Sequence, residues 1–382
     1  MWSARNNLRA LVAIALLGSA ATAARAQSTA PNALKDAFKN DFRIGAGVNA
    51  NQFDGRDARG VALITQQFNT ITPENALKWE SVHPRPGVYD FTEADRYVDF
   101  GVRNGMFVIG HTLVWHNQTP RWVFQDSSGR PVSRDALLAR MRDHIFTVVG
   151  RYKGRVNGWD VVNEAVNEDG TLRHSPWYDI IGPDFIEKAY QFAHEADPGA
   201  ELYYNDYSVE NAPKREGVVR LIRDLQAAGV HVTAVGLQGH DRLDWPTIPQ
   251  EDSTIDALAA LGIKVNVSEL DVDVLPRAQR GTSADVTLRG DPRAGINPYT
   301  AGLPDSVQQA LAARYAALFT TFLRHHDVME RVTFWGVGDG DSWLNNWPVP
   351  GRTSYPLVFD REDRPKPAFF AIVRTALQHP AM

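Results

Sequence analysis

Val-Asn-Gly-Trp-Asp-Val-Val-Asn-Glu, residues 156–164, is a short apolar run that closes on an amide and a carboxylate. Valine and tryptophan favour extended backbone, and a parallel strand covered on both faces reads as a near-continuous apolar segment with its polar residues at the exit. Seven more runs of this kind flank it: Phe42–Asn49, Phe68–Glu74, Met106–Trp115, Ala200–Tyr207, Ala234–His240, Lys264–Asp271 and Arg331–Asp339. Between them the apolar spacing changes to that of amphipathic helices. Val218, Leu221, Ile222 and Leu225 form one stripe, with Gly229 as its expected C-cap. Val307, Leu311, Leu318 and Phe322 form another, entered through Pro304 with Asp305 or Ser306 as the expected N-cap. A doubly wound open sheet has the same local signature, but eight repeats with polar residues at the run ends favour closure. The predicted fold class is therefore α/β, a single (β/α)8 TIM barrel with its cleft at the C-terminal ends of the strands.

The chain has 382 residues, 43% hydrophobic and 22% charged, with a formal net charge of −5 and no cysteine. Its first 26 residues read as a secretory signal: Arg5 and Arg9 precede an apolar run from Ala10 to Leu17, and small residues lead to Ala24-Arg25-Ala26. That run is shorter than the roughly 20 residues a bilayer span needs. Residues 27–382 are then expected to form one catalytic barrel domain, exported to the periplasm or the medium without a membrane anchor. The segment removed carries Arg5, Arg9 and Arg25 and no acid, so the net charge falls from −5 to −8. With no basic cluster to oppose that charge, nucleic acid is excluded as a partner class. Without disulfides, a large core must supply the stability of an exported chain.

In such barrels the reacting groups stand where the strands end. Two of those ends, Glu164 and Glu269, supply a carboxylate pair. Hydrolysis of an acetal needs one carboxyl to protonate the departing oxygen and a second, ionised one to meet the charge growing at the anomeric carbon. Asp271, two residues beyond Glu269, shares its face of the strand, and His240 at the end of the preceding run is positioned to bridge them. Donors on that side would keep Glu269 ionised and leave Glu164 as the protonated partner.

Seven segments resemble the ordered signatures of glycoside hydrolase family 10, whose members are mostly endo-β-1,4-xylanases. They are residues 71–80 (ITPENALKWE), 110–118 (GHTLVWHNQ), 159–164 (WDVVNE), 204–207 (YNDY), 236–240 (GLQGH), 268–272 (SELDV) and 333–337 (TFWGV). The resemblance runs from about Phe42 to Phe370, with Ser268 where threonine is usual. It implies a retaining mechanism with Glu164 as general acid/base and Glu269 as nucleophile, and implies that Asn163 binds the 2-hydroxyl of the sugar being cleaved. It further implies that Glu74, Asn75, Lys78 and His111 bond the glycone sugars and that Trp115, Trp335 and Trp343 wall the cleavage point. Tyr207 is expected to contact the leaving group. Gln238 and Asn205 are expected either to orient the two glutamates or to touch sugar.

The expected substrate is xylan or its oligosaccharides, taken by a monomer that needs no cofactor and no metal. One rival is a metal-dependent hydrolase using His111, His116 and His240, although the chain has no His-X-His on the first run and no thiolate. Another is a non-catalytic sugar-binding barrel, which would normally lack one glutamate. A third is a retaining β-glycanase acting on cellulose or mannan, since only the subsite contacts would differ. Residues 272–304, with Gly281, Gly290, Pro292 and Pro298, read as a long loop after the nucleophile strand, either shaping the rim or lying in solvent.

Overall fold

The computed structural model describes residues 33–277, 284–291 and 296–379. The expected leader, Gly281 and Pro292 lie outside the described residues. Among the described residues nine strands follow in chain order: β1 (Arg43–Val48), β2 (Thr70–Pro73), β3 (Phe107–Val114), β4 (Gly158–Asn163), β5 (Glu201–Asp206), β6 (Ala234–Leu237), β7 (His240–Arg242), β8 (Lys264–Asp273) and β9 (Met329–Phe334). Every pairing between them is parallel. β1 to β6 pair in sequence, β6 pairs with β8, β8 with β9 and β9 with β1, so eight strands close a barrel and β7 is an extra piece at its rim.

A helix of ten or more residues follows each barrel strand, from Ala58–Gln67 after β1 to Pro367–Gln378 after β9. Local chemistry sets their ends. Ser133 accepts from the Ala136 N–H at the start of Arg134–Tyr152. Thr247 and Gln250 form a capping box on Ile248–Ala259, which satisfies donors the first turn leaves open. In the helix Ala212–Ala227 the stripe Val218, Leu221, Ile222 and Leu225 is buried against the barrel, and each such side chain contributes about 1.5–3 kcal/mol. Gly229, at φ +75°, ends it as expected: its N–H reaches the Gln226 carbonyl and that of Val230 reaches Leu225, a Schellman closure that needs the left-handed backbone. The entrance to Asp305–Arg324 differs from expectation. Pro304 is the N-cap and no side chain caps it, so Asp305 serves inside the first turn, where its charge still favours the helix dipole.

Two departures from the sequence reading position the site. The run Ala234–His240 is divided: β6 ends at Leu237, Gly239 turns at φ +72°, and the chain re-enters as β7. β8 continues past Asp271 to Asp273 to meet it, pairing His240 with Asp271 and Arg242 with Asp273. A Cβ at Gly239 would sit 2.9 Å from Val267 Cγ1, so both the turn and the close packing call for glycine.

Candidate active site

Glu164 follows the last residue of β4 in a left-handed conformation, φ +59°, which costs an L-residue about 1–2 kcal/mol. Both its backbone groups are anchored. Its N–H donates to the Asn205 carbonyl at 2.9 Å, and its carbonyl accepts from Arg173 Nε at 3.0 Å. The side chain thereby enters the barrel mouth, where Oε2 accepts from Trp115 Nε1 at 2.9 Å and Oε1 from Gln238 Nε2 at 3.0 Å. Burial, reinforced by the Asp206 anion and opposed by those two donors, pushes its carboxyl up to about 7. Removing water penalises the anion more than the donors restore it.

Glu269 stands in β8 with the opposite balance. Asn205 Nδ2 donates to Oε1 at 2.7 Å, and His240 Nε2 lies 3.4 Å from Oε2. Burial raises its carboxyl, but the His240 hydrogen bond, the charges of His111 and His240, and Asn205 together hold it below the ordinary carboxylate value. His240 acts as a cation here. Burial lowers its pKa, yet Asp271 at 3.2 Å and Glu269 overcome that and push it to about 10. Trp343 Nε1 donates to the other Asp271 oxygen at 2.7 Å, so Asp271 is bonded on both oxygens and Asp271, His240 and Glu269 form a line. Of these two glutamates, Glu164 therefore holds its proton up to near neutrality and Glu269 does not.

Two amides lie between them. Asn205, fully buried, donates to Glu269 and, at 3.0 Å, to Asn163 Oδ1; Asn163 Nδ2 in turn lies 3.2 Å from Glu164 Oε1. Asn205 Oδ1 accepts from Ser268 Oγ at 2.5 Å, which fixes the side-chain amide with its NH2 group toward the nucleophile. Asn205 lies beneath the glutamates and off the cleft wall, whereas Gln238 lines the wall and also bonds Glu164. Of the two roles left open for this pair, orientation fits Asn205, and Gln238 is built for both.

The cleft is open to solvent and spans about 630 Å³ of empty volume, solvent mouth included. Its lining includes Glu74, Asn75, Lys78, His111, Trp115, Asn163, Trp335 and Trp343 together with both glutamates. Lys78 Nζ donates to Asn75 Oδ1 at 3.1 Å and to Gln118 Oε1 at 2.7 Å, and lies 5.0 Å from the centre of the Trp115 ring. Burial lowers its pKa, while Glu269, Glu74, Glu164 and Glu80 counter. Burial, then the Asp341 charge, pushes Glu74 up to about 7 against the pull of Lys78. His111 bonds Asp160 through Nδ1 at 2.9 Å, and its ring meets Trp335 edge-on at 5.6 Å. The arrangement offers donors, acceptors and indole faces around Glu164 and the anionic Glu269, a set matched to sugar hydroxyls and pyranose C–H faces.

Tyr207 departs from expectation. It is 2% exposed, is not part of the cleft wall, has Lys214 Nζ 3.6 Å from its ring centre, and accepts from Arg173 Nη2 at 2.8 Å. The charges of Lys214 and Arg173 hold it behind Glu164. Trp347, unassigned from sequence, stacks on Trp343 at 4.5 Å. The long loop contributes Ala284 and Val286 to the wall, and Asp285 pairs with Arg173 at 3.4 Å. Among the described residues no group of three or more His, Asp or Glu side chains is spaced to hold a metal ion. The sequence reading assigned no role to Asp160, Asp206, Ser268 or Gln118. Aligning the runs could have found Asp160, because it is the direct register partner of His111; the effect of Asp206 on Glu164 had no local signal.

The sequence profile of glycosyl hydrolase family 10 matches residues 33–375. Endo-1,4-beta-xylanase A of Xylanibacter ruminicola is 44% identical over 341 residues, which cover 89% of this chain and 92% of that protein. A beta-1,4-xylanase of Dictyoglomus thermophilum is 42% identical over 346 residues, covering 89% and 90%. Among solved structures, a family 10 endoxylanase from a sugarcane soil metagenome superimposes with a TM-score of 0.87 at 45% identity, covering 89% of this chain and 99% of its own.

Proposed function

The chain belongs to glycosyl hydrolase family 10, and from that premise we propose that it is an endo-1,4-β-xylanase that cuts internal bonds of xylan with retention of configuration. The observation that carries this is two buried carboxyls in one cleft with unlike partners, Glu164 bonded to Trp115 and Gln238 and Glu269 beside Asn205 and His240, which raises the first to about 7 and holds the second low. In the first step a Glu269 oxygen bonds to the anomeric carbon as the C1–O bond breaks, and the Glu164 proton passes to the departing oxygen. Glu269 loses its charge in the resulting ester. Because that charge is one of the causes raising Glu164, Glu164 then becomes the base that takes a proton from water as the water oxygen attacks C1 and frees Glu269.

His240 and Asn205 hold the nucleophile ionised, and Asn163 bonds the 2-hydroxyl as charge develops. Glu74, Asn75, Lys78 and His111 bind the glycone, and Trp335 and Trp343 exclude a hydroxymethyl group. NMR of the first-formed products from a xylooligosaccharide tests the mechanism: β-anomers are expected, and initial α-anomers would refute double displacement. Faster cleavage of carboxymethyl cellulose than of unbranched xylan would overturn the substrate, and loss of activity in excess EDTA would favour the metal-dependent rival.

We also propose that residues 1–26 are a cleaved leader and that the mature protein is an exported monomer. The Arg5/Arg9 head, the apolar run and the small residues before position 27 support the leader. No helix among the described residues is long and apolar enough to cross a membrane. N-terminal sequencing of the protein recovered outside the cytoplasm is expected to begin near Gln27.

A further inference from the structure

The left-handed backbone of Glu164 is held by a segment that returns to it. Directly after this residue the chain doubles back: Val166 and Leu172 pair antiparallel, and the Arg173 N–H donates to the Ala165 carbonyl at 2.7 Å. Arg173 is thereby brought back to the acid it follows in the chain, and its guanidinium is used on three sides. Nε donates to the Glu164 carbonyl at 3.0 Å, Nη2 donates to the Tyr207 hydroxyl at 2.8 Å, and Nη1 lies 3.4 Å from Asp285 Oδ2. A planar fork of fixed donors suits three acceptors in different directions, which the single ammonium of a lysine does not reproduce.

The third of these contacts leads to the cleft wall, because Asp285 stands between Ala284 and Val286, which both line the cleft. Burial raises the Asp285 carboxyl, but the bonds from Thr287 and the charge of Arg173 hold it below the ordinary carboxylate value. His116, on the same side, is pushed down to about 4 by burial and then by the Arg173 charge. It is therefore neutral near pH 7, and the cation bonded to Asp285 is Arg173. A residue in a strained backbone region persists only where its surroundings over-determine it. Of the two backbone anchors of Glu164, the Asn205 carbonyl is part of the barrel, whereas the Arg173 guanidinium is tied to a rim segment.

We propose that Arg173 is a positioning residue for the acid/base Glu164 and that Asp285 seats it, so that the rim segment 284–286 sets how well the acid is aimed. This rests on the xylanase reading above. A weakly basic leaving group departs without a proton, whereas a more basic one needs the proton of Glu164. The test therefore takes the ratio of kcat/KM on 2,4-dinitrophenyl β-xylobioside to that on phenyl β-xylobioside. Arg173→Lys keeps the charge and removes the fork, and its ratio is expected to be about tenfold above that of the unaltered enzyme, the low end of what one hydrogen bond from a charged donor is worth. Asp285→Asn should raise the ratio by about threefold, the worth of a partly exposed ion pair. In Glu164→Gln, which has no proton to aim, adding Arg173→Lys should leave the ratio as it is. Equal losses on both substrates in either folded variant, or a rise that persists undiminished in the Glu164→Gln background, overturn the proposal. If Arg173→Lys does not melt as a folded protein, Asp285→Asn decides alone, and an unchanged ratio there overturns it. An unaltered enzyme that hydrolyses neither aryl glycoside would instead sink the xylanase reading, so the two failures are distinct.

Discussion

Replacing His240 with glutamine probes the electrostatic asymmetry directly. Glu269 must be ionised to attack, so its pKa sets the acidic limb of kcat/KM, and Glu164 must be protonated, so its pKa near 7 sets the basic limb. Glu269 is depressed because His240 offsets its burial. A hydrogen bond to a charged group contributes about 1.5–3 kcal/mol, and 3.4 Å is at the long end of the range, so the lower figure of about 1.5 kcal/mol applies. At 1.36 kcal/mol per unit this is about one pKa unit. Loss of the cation also leaves the Asp271 anion facing Glu269 uncompensated, which adds to the rise. The acidic limb should therefore move up by about one unit or somewhat more, narrowing the bell from its acid side while the basic limb stays near 7. Initial rates on an aryl xylobioside from about pH 3 to pH 9 measure both limbs, with thermal melts to establish that the variant is folded. Asp271→Asn/His240→Gln removes the stranded anion and should return part of the shift. An acidic limb that stays in place in folded His240→Gln, or a basic limb that moves further than the acidic one, would refute the reasoning.

Three more outcomes follow from the same geometry. Glu164→Gln should abolish xylan hydrolysis yet retain the first step on an aryl glycoside with a good leaving group, and the basic limb of that step should vanish; a surviving basic limb would assign it to another residue. Trp115→Phe deletes the donor to Glu164 Oε2, so the basic limb should rise by up to about one unit, as expected for loss of one hydrogen bond to the anion. His144, fully buried and stacked 3.6 Å from Trp79, has its pKa lowered well below 6.5 by burial. The unfolded chain therefore takes up a proton that the native one refuses, and stability falls as pH drops below about 6.5. Glu164 and Glu74, with raised native pKa values near 7, pull the other way between pH 4.5 and 7, so the effect is isolated by comparing His144→Phe with the unaltered protein in urea melts. Their stability difference should shift by about 2 kcal/mol in favour of the variant from pH 6.5 to pH 5, at 1.36 kcal/mol per unit; a pH-independent difference would contradict it.

The sequence alone determined that eight extended runs alternate with amphipathic helices, because the burial period within one element is written in its side chains. Val218, Leu221, Ile222 and Leu225 and, of the second stripe, Leu311, Leu318 and Phe322 are buried as their spacing requires, while Val307 at the helix entrance is half-buried. It also determined which ends carry carboxylates, since polar residues interrupt the apolar runs there. It placed His240 to bridge Asp271 and Glu269, but it did not fix the register of any strand pair or show that His111 meets Asp160. That depends on register and closure, which bring His111 opposite Asp160 and His240 opposite Asp271. The second pairing required the turn at Gly239 and the extra strand after it, neither of which alters the apolar pattern. Tyr207 shares its motif with Asn205, yet one lies behind Glu164 against Lys214 and the other beneath Glu269. The sequence reading expects the proton on Glu164 from the donors beside Glu269, and the tertiary structure supplies the balance behind it: both are buried, Asp206 stands near Glu164, and the His240 cation, His111 and Asn205 act on Glu269. Charge and desolvation act through space over a few ångströms, a distance that chain separations of 31 residues for His240 and Asp271 or 49 for His111 and Asp160 do not encode.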